Sequence, residues 1–229
     1  MKHKNTKKDT EHMHVPNCNL PSIKNDSDQN RICKITSEFI EGFNFIADIK
    51  KAVTIFGSTR SLPDNPHYQK AKELAHLLAK ENVTVITGGG PGIMEAANQG
   101  AFEAGGNSIG INIQIPKHQS QNKYVTKSIR FDDFFTRKAM MIFASFAHVF
   151  FPGGFGTLDE FFGIMNLAKT KELDKTPLII VVGKDYWQPL LNWLENDVAE
   201  KHTSINREDL KFIQLVDSPK EAFDIISRV

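Results

Sequence analysis

Hydrophobic residues in the central part of the chain follow two alternating patterns. Short runs rich in β-branched and aromatic residues are apolar on both faces, as buried parallel strands are. These runs predict strands over residues 52–56, 83–87, 108–113, 148–151 and 178–182. Segments with apolar residues three and four positions apart predict helices over residues 66–80, 93–104, 134–147, 157–171 and 187–200. This regular alternation predicts an α/β fold, a doubly wound, Rossmann-like parallel sheet with helices on both faces.

The two ends of the chain have patterns of their own. Apolar residues recur at helical spacing from Arg31 onwards and predict an N-terminal helix that packs on the domain. Residues 1–30 are mostly polar and contain two prolines, so we predict a mobile tail there and a single domain over residues 31–229. A short apolar run at residues 214–217 leads into a last helix that begins at Ser218.

Composition and charge exclude several classes of protein. The 229 residues are 40% hydrophobic and 24% charged, as in globular proteins. The 28 basic and 27 acidic residues give a net charge of +1, so we expect no nucleic-acid partner. The longest apolar stretch, residues 139–151, is shorter than the roughly 18 to 20 residues of a membrane span. No apolar run near residue 1 resembles a secretory signal, so we expect a cytoplasmic protein. The two cysteines lack a zinc-ligand spacing, and we expect no metal site.

Three of the predicted strands end in turns of glycine and other small residues. The first turn is Gly-Ser-Thr-Arg at 57–60, the second is Thr-Gly-Gly-Gly-Pro-Gly at 87–92, and the third is Pro-Gly-Gly-Phe-Gly-Thr at 152–157. The carboxyl ends of parallel strands lie at one edge of a sheet, where such folds bind their ligands. Glycines let backbone N–H groups approach an anion, and a helix N-terminus adds partial positive charge. The sequence therefore predicts a phosphate-binding site at this edge.

The spacing of these glycines argues against two familiar nucleotide-binding motifs. No Gly-x-x-x-x-Gly-Lys-Ser/Thr occurs, which disfavours a P-loop NTPase. Gly-x-Gly-x-x-Gly is also absent, because Ile93 and Asp159 stand where its last glycine belongs. Residues 107–114 contain no acid to bind a ribose diol, so hydride transfer with a dinucleotide is disfavoured as well.

Three segments together resemble the LOG family, which comprises cytokinin-activating 5′-monophosphate phosphoribohydrolases and bacterial relatives that act as AMP nucleosidases. The segments are Gly-Ile-Met-Glu-Ala-Ala at 92–97, the pair Arg137-Lys138, and Pro-Gly-Gly-Phe-Gly-Thr-Leu-Asp-Glu at 152–160. The resemblance extends over residues 52–182. It implies hydrolysis of the N-glycosidic bond of a purine nucleoside 5′-monophosphate, AMP or an N6-modified AMP, to free base and ribose 5-phosphate. One position departs from the plant members, which have glutamate where this chain has Asp159.

The chemistry of glycoside cleavage suggests roles for the charged residues. An oxocarbenium-like sugar needs nearby negative charge and a group that orients water, so Glu160 is the candidate general base, with Asp159 beside it. A capping box from Thr157 to Glu160 is the structural alternative. The resemblance makes Arg137 catalytic, although a surface ion pair would also explain an arginine there. It also places Lys138 and Glu95 against the substrate, where Glu95 alternatively complements a helix dipole.

The turns contribute the remaining candidate substrate-binding residues. They are Gly57, Ser58, Gly89, Gly90, Gly153, Gly154, Phe155, Gly156 and Thr157. The resemblance implies that Thr157 and the amides of Gly154 and Gly156 hold the 5′-phosphate, with no metal or organic cofactor.

The predicted helix over residues 134–147 indicates how the protein assembles, and the acidic pair at 159–160 bears on the alternative functions. We expect a homodimer or higher homo-oligomer, because the predicted helix over residues 134–147 is apolar nearly all round its axis. The alternative function is a non-catalytic nucleotide or molybdenum-cofactor carrier on the same fold, which would not need the carboxylates of Asp159 and Glu160. A decarboxylase is disfavoured because no local context marks a lysine as a Schiff-base residue.

Overall fold

The computed structural model describes residues 26–114, 120–170 and 176–229. Within these residues, seven strands form one parallel sheet in the order β4-β3-β2-β1-β5-β6-β7. The strands are β1 (Ala52–Phe56), β2 (Thr84–Thr87), β3 (Ser108–Ile113), β4 (Lys127–Phe131), β5 (Ala147–Phe150), β6 (Leu178–Val182) and β7 (Ile213–Val216). The α-helices are α1 (Asp26–Ile46), α2 (Pro66–Lys80), α3 (Ile93–Glu103), α4 (Phe134–Phe143), α5 (Phe155–Thr170), α6 (Lys184–Trp193) and α7 (Pro219–Ile226). The predicted doubly wound parallel sheet is confirmed.

Helices cover the sheet on both faces and enclose two hydrophobic cores. One core lies under α2, α3 and α7, and the other under α1, α4, α5 and α6. Residues of β1 contribute to both cores, and all five residues of the strand are buried. A π-helix over Leu194–Lys201 continues α6, and a 3-10 helix over Arg207–Phe212 precedes β7. No helix in the described ranges has the length and hydrophobicity that crossing a membrane requires.

Several element boundaries differ from the sequence-based predictions. The first helix begins at Asp26 rather than Arg31, and the rest of the predicted tail lies outside the described residues. The pattern missed β4 because this edge strand is mostly exposed and only Phe131 is buried. Helix α4 ends at Phe143, four residues before the predicted end, because the chain must turn before β5. Helix α5 begins at Phe155, and the end predicted at 171 lies outside the described residues.

The strand order reverses direction between β1 and β5, and this reversal creates a crevice. From β1 the chain builds the sheet outwards through β2 to β4, then crosses back to place β5 on the other side of β1. Ser58 N donates to the carbonyl oxygen of Pro152 at 3.0 Å, and Phe151 N donates to that of Phe56 at 2.9 Å. The turns after β1 and β5 are thus joined at the position where doubly wound sheets bind ligands.

Helix α1 is tied to the start of α4. The Glu38 carboxylate is buried and accepts hydrogen bonds from the backbone N–H groups of Asp132, at 2.8 Å, and Asp133, at 3.2 Å. Gly42 lies directly against Met140, since a Cβ at this glycine would stand 2.5 Å from the Met140 sulfur. The two contacts fix α1 on the helix that follows β4.

Candidate active site

A cavity of about 860 Å³ opens over the carboxyl ends of β1 and β5. The turns after these strands, the start of α5 and one face of α4 form its wall. The predicted site residues in this wall are Gly57, Ser58, Arg137, Gly153, Gly154, Phe155, Gly156, Thr157, Asp159 and Glu160. Gly89, Gly90, Glu95 and Lys138 lie outside the wall. The fold therefore brings together residues that are up to 103 positions apart, from 57 to 160.

The start of α5 presents glycines to the cavity. A Cβ at Gly154 or Gly156 would meet no protein atom within 4 Å, and neither glycine has a positive φ. Neither packing nor backbone conformation therefore requires glycine at these two positions. Gly153 is different, since its Cβ would stand 2.1 Å from Thr157 Oγ1. The first N–H groups of a helix lack intrahelical partners and carry partial positive charge, so this end of α5 suits an anion.

The turn after β1 forms the part of the wall that adjoins the turn after β5. Both backbone groups of Ser58 hold the turn in place, because its N–H donates to Pro152 and its carbonyl accepts from Ile93 N at 3.0 Å. The Ser58 hydroxyl accepts from Arg60 N at 3.1 Å. Gly57 allows α3 to approach, since a Cβ there would stand 2.7 Å from the Ile93 side chain. The Ser58 hydroxyl is thus the group of this residue that remains able to donate to a ligand.

The second glycine turn faces the cavity with Gly88. A Cβ at Gly88 would stand 2.1 Å from Arg137 Nη2, so this glycine lies against the guanidinium group. The N–H of Gly89 donates to Thr87 Oγ1 at 2.9 Å, and the carbonyls of Gly89 and Gly90 accept from Asn122. The Gly89 N–H and the carbonyls of Gly89 and Gly90 are therefore bonded within the protein.

Arg137 extends from α4 across the end of the sheet. Its Nε donates to the carbonyl of Ile111 in β3 at 2.9 Å. Burial lowers the pKa of the guanidinium, and the Glu160 carboxylate raises it. An arginine stays protonated under such shifts, so Arg137 brings a fixed positive charge to the cavity wall.

Glu160 is a buried acid in the same wall. Its side chain has 8% relative exposure, and Oε2 has no hydrogen-bond partner. Burial raises the pKa of this carboxyl to about 7, against the opposing effect of the Lys138 and Arg137 charges. Because α5 begins at Phe155, Thr157 lies inside the helix, and the capping-box interpretation of Glu160 is wrong. A carboxyl with this pKa is able both to accept and to release a proton near neutral pH.

Lys138 and Glu95 lie close to the site without forming its wall. Lys138 Nζ donates to Asp159 Oδ2 at 2.8 Å and to the Asp159 carbonyl at 3.1 Å, so α4 and α5 are joined beside the cavity. Glu95 is half-buried in the first turn of α3. Asp159 itself is exposed at the cavity.

The structure adds wall residues that sequence reasoning missed. Tyr186 in α6 donates its hydroxyl to the carbonyl of Gly153 at 2.6 Å and so supports the glycine turn. His67, at the start of α2, also lines the cavity, and burial lowers the pKa of its imidazole. Both follow strands that end at the ligand-binding edge, which is the signal that could have found them. The remaining additions include the apolar residues Phe56, Met94, Ile113, Phe134 and Met141.

The chain matches a known protein family over most of its sheet. A family model described as "possible lysine decarboxylase" matches residues 94–226, more than half of the sequence. The chain belongs to this family, the LOG family. The match includes Arg137, Glu160 and the third glycine turn, while the turn after β1 precedes it.

Curated relatives within the LOG family support the assignment. A probable cytokinin riboside 5′-monophosphate phosphoribohydrolase of rice (Oryza sativa subsp. japonica), LOGL6, is 26% identical over 204 residues, covering 87% of this chain and 79% of the rice protein. The cytokinin riboside 5′-monophosphate phosphoribohydrolase of Rhodococcoides fascians is 26% identical over 156 residues, covering 66% and 77%. A second probable cytokinin riboside 5′-monophosphate phosphoribohydrolase of rice, LOGL2, is 31% identical over 163 residues, covering 69% of this chain and 64% of the rice protein.

Solved structures share the LOG-family fold. The molybdenum cofactor binding protein of Rippkaea orientalis superposes with a TM-score of 0.58 at 23% identity, over 79% of this chain and 98% of that one. The molybdenum cofactor carrier protein of Chlamydomonas reinhardtii gives 0.56 at 18% identity, over 78% and 97%. At such identities the likeness concerns the fold alone.

Proposed function

We propose that this protein hydrolyses the N-glycosidic bond of a purine nucleoside 5′-monophosphate, AMP or an N6-modified AMP, to free base and ribose 5-phosphate. The observation that carries the proposal is Glu160, a buried carboxyl with a pKa of about 7 in the same cavity wall as the open N-terminus of α5. The names of the curated relatives agree with this reaction. Residues 31–229 then act as a single nucleotide-binding catalytic domain.

In this reaction the N-terminus of α5 holds the 5′-phosphate. The N–H groups of Gly154 and Gly156 and the hydroxyl of Thr157 donate to the phosphate oxygens, and the Ser58 hydroxyl in the adjoining turn is a further donor. No side chain intrudes at Gly154 or Gly156, so a phosphate is able to approach the backbone. The anchored phosphate places the sugar over the residues that follow in α5.

Glu160 and Arg137 then serve the two sides of the bond that breaks. The C1′–N bond lengthens and leaves positive charge on the sugar, which the carboxylates of Asp159 and Glu160 stabilise. Glu160 accepts a proton from the attacking water, whose oxygen bonds to C1′. The leaving base keeps the electron pair of the broken bond and takes up a proton from solvent, and Glu160 then releases its own proton to solvent. The Arg137 guanidinium stabilises the negative charge that develops on that base.

A non-catalytic carrier of a nucleotide or of molybdenum cofactor is the competing function on this fold. Two of the structural neighbours are named for that cofactor, although their identity to this chain is 23% or less. A carrier gains nothing from a buried carboxyl beside a bound anion, because the charge would oppose binding. Glu160 therefore favours the hydrolase.

We also propose that the protein is a homodimer with α4 at the interface. At the start of α4, Phe134 and Phe135 have relative exposures of 59% and 74%. At its end, Phe143 stacks on Phe43 of α1 at 5.8 Å, and each of these two rings is about half exposed. Phe134 also lines the cavity, so a second copy seated on α4 would cover one margin of the site. Exposed aromatic clusters of this kind are typical of interfaces.

The test is a panel of nucleoside 5′-monophosphates incubated with the purified protein, with free base measured by chromatography. We expect base to be released from AMP or from an N6-modified AMP, and not from adenosine, which lacks the phosphate. Glu160→Gln serves as the control that rules out a contaminating nucleosidase. Binding of AMP with no base released by the native protein would favour the carrier, and equal cleavage of adenosine would contradict phosphate anchoring.

A further inference from the structure

A fully buried polar cluster lies beneath the second glycine turn. Asn98 in α3 is 0% exposed, and its Oδ1 accepts from Thr87 Oγ1 at 2.6 Å and from Asn122 Nδ2 at 2.9 Å. Its Nδ2 donates to Ser108 Oγ at 2.8 Å. The cluster thus links α3, β2 and β3 to the segment between β3 and β4. Buried side-chain amides are costly unless they are paired, and these are paired on both sides.

The cluster also fixes the backbone of the glycine turn. Asn122 N donates to the Gly89 carbonyl at 2.9 Å, and Asn122 Nδ2 donates to the Gly90 carbonyl at 3.0 Å. From the other side, Thr87 Oγ1 accepts the Gly89 N–H. Gly89 has a φ of +72° and lies so close to Asn112 that a Cβ would stand 1.9 Å from its Oδ1. These backbone groups are therefore committed to the protein and do not form an anion cradle.

Within the second glycine turn, Gly88 is the residue that packs against Arg137. Gly88 follows the anchored Thr87 and lies against the guanidinium, with Nη2 2.1 Å from the position a Cβ would take. On its other edge, Arg137 Nε donates to the Ile111 carbonyl. The guanidinium plane is thus defined by one hydrogen bond to β3 and one close packing contact with the turn after β2.

We propose that Asn122, acting with Asn98, is a positioning residue that fixes the Arg137 guanidinium through Gly88. The catalytic consequence rests on the proposed function, whereas the positioning itself does not. A displacement of the order of 1 Å in a catalytic group costs roughly a hundredfold in rate. Loss of the Asn122 side-chain amide would remove the donor to the Gly90 carbonyl and to Asn98 Oδ1. The turn, and with it the guanidinium, would then be free to move, although the backbone N–H of residue 122 would still bond to Gly89.

The first test observes Arg137 directly, without any substrate. The protein is labelled with ¹⁵N-arginine, and the Nε–H signal of Arg137 is identified by its loss in Arg137→Lys. We expect Asn122→Ala to increase the solvent-exchange rate of this Nε–H at least tenfold. The matched control is Asn192→Ala, which removes an exposed asparagine amide on α6 and should leave the rate at the native value. A native exchange rate in folded Asn122→Ala would overturn the proposal.

A second variant displaces the arginine and leaves the polar cluster intact. Gly88 has no positive φ, so alanine fits the backbone, but its Cβ would overlap Nη2 and Met94 Sδ. We expect Gly88→Ala to shift the Arg137 Nε–H signal even if Asn122→Ala fails to fold, and an unchanged signal would overturn the proposed route through Gly88.

The kinetic test separates this proposal from the proposed function. With AMP as substrate, Asn122→Ala should lower kcat tenfold to a hundredfold and leave KM within about twofold, because the phosphate is held elsewhere. A purely structural role would instead reduce the active fraction and leave the kcat of the folded enzyme unchanged. If the native protein released no base, the proposed function would be wrong, and the exchange measurements would still decide the role of Asn122.

Discussion

Lys138 Nζ lies 3.9 Å from Glu160 Oε2, close enough to lower the pKa of the carboxyl and too far for a hydrogen bond. The ammonium group is instead bonded to Asp159 at 2.8 Å. Burial of Glu160 outweighs this attraction and raises the pKa of the carboxyl to about 7. Burial and the Lys138 charge together therefore bring the pKa of Glu160, the proposed general base, close to neutral pH.

A first prediction concerns the pH dependence of activity. A base must be unprotonated in the free enzyme, so kcat/KM for AMP should rise with pH and level off above an apparent pKa of about 7. Lys138→Met removes a charge that lowers this pKa, so the rising limb should move to higher pH. Lys169→Met, which removes an ion pair with Asp209 at 3.0 Å, is the matched control and should leave the profile in place. An unshifted limb in Lys138→Met would argue against Glu160 as the titrating group.

A second prediction links the same carboxyl to stability. The folded pKa is raised, so between about pH 4.5 and pH 7 the folded protein binds more protons at Glu160 than the unfolded chain, and stability falls as pH rises. Glu160→Gln lacks this loss. Its melting temperature should therefore gain on that of the native protein from pH 5 to pH 8, while turnover falls about a hundredfold or more. If the difference in melting temperature between the two proteins were the same from pH 5 to pH 8, Glu160 would have an ordinary pKa in the folded protein.

A third prediction compares neighbouring glycines at the start of α5. Gly156→Ala has space for its Cβ and should fold normally, but the methyl group would enter the proposed phosphate site and weaken AMP binding about tenfold or more, the effect of losing one charge-assisted hydrogen bond. Gly153→Ala should instead lower the melting temperature, because its Cβ would overlap Thr157. Calorimetric titration with AMP and thermal melts of both variants make the comparison. Normal AMP affinity in Gly156→Ala would place the phosphate elsewhere.

A fourth prediction addresses assembly. Light scattering of the native protein at micromolar concentration should give about twice the chain mass of 25.8 kDa. Phe135→Asp puts a charge on the most exposed residue of α4 and should shift the protein to the monomer. Leu62→Asp changes an exposed apolar residue before α2 and is the control. A native protein that runs as a monomer would contradict the proposed interface.

The sequence predicted elements well where burial is complete and poorly where it is not. Strands β1, β3 and β6 are almost entirely buried and mostly apolar, so their apolar runs predicted the correct bounds. Strand β4 lies at the sheet edge and is mostly exposed. Only Ile129 and Phe131 alternate with its polar residues, and a pattern of two apolar positions is too short to mark a strand. The order of strands was not predicted, because pairing depends on how crossovers pack rather than on local pattern.

The candidate site shows the same division. Glycine turns and nearby charges could be read from the sequence because strand ends share one edge of the sheet. Hydrogen bonding decides which way a turn faces. The run of glycines does not reveal that Asn122, 32 positions beyond Gly90, bonds to the carbonyls of Gly89 and Gly90. Tyr186 and His67 escaped notice because neither belongs to a motif.

The contact between Glu38 and the start of α4 limits how far this protein can be shortened at its N-terminal side. A fragment that starts at β1 would retain the whole described sheet and all three glycine turns. It would lose the carboxylate that binds the N–H groups of Asp132 and Asp133, and with it the anchor of the helix that carries Arg137. An N-terminal tag therefore belongs upstream of residue 26, and α1 should be treated as part of the folded unit that positions Arg137.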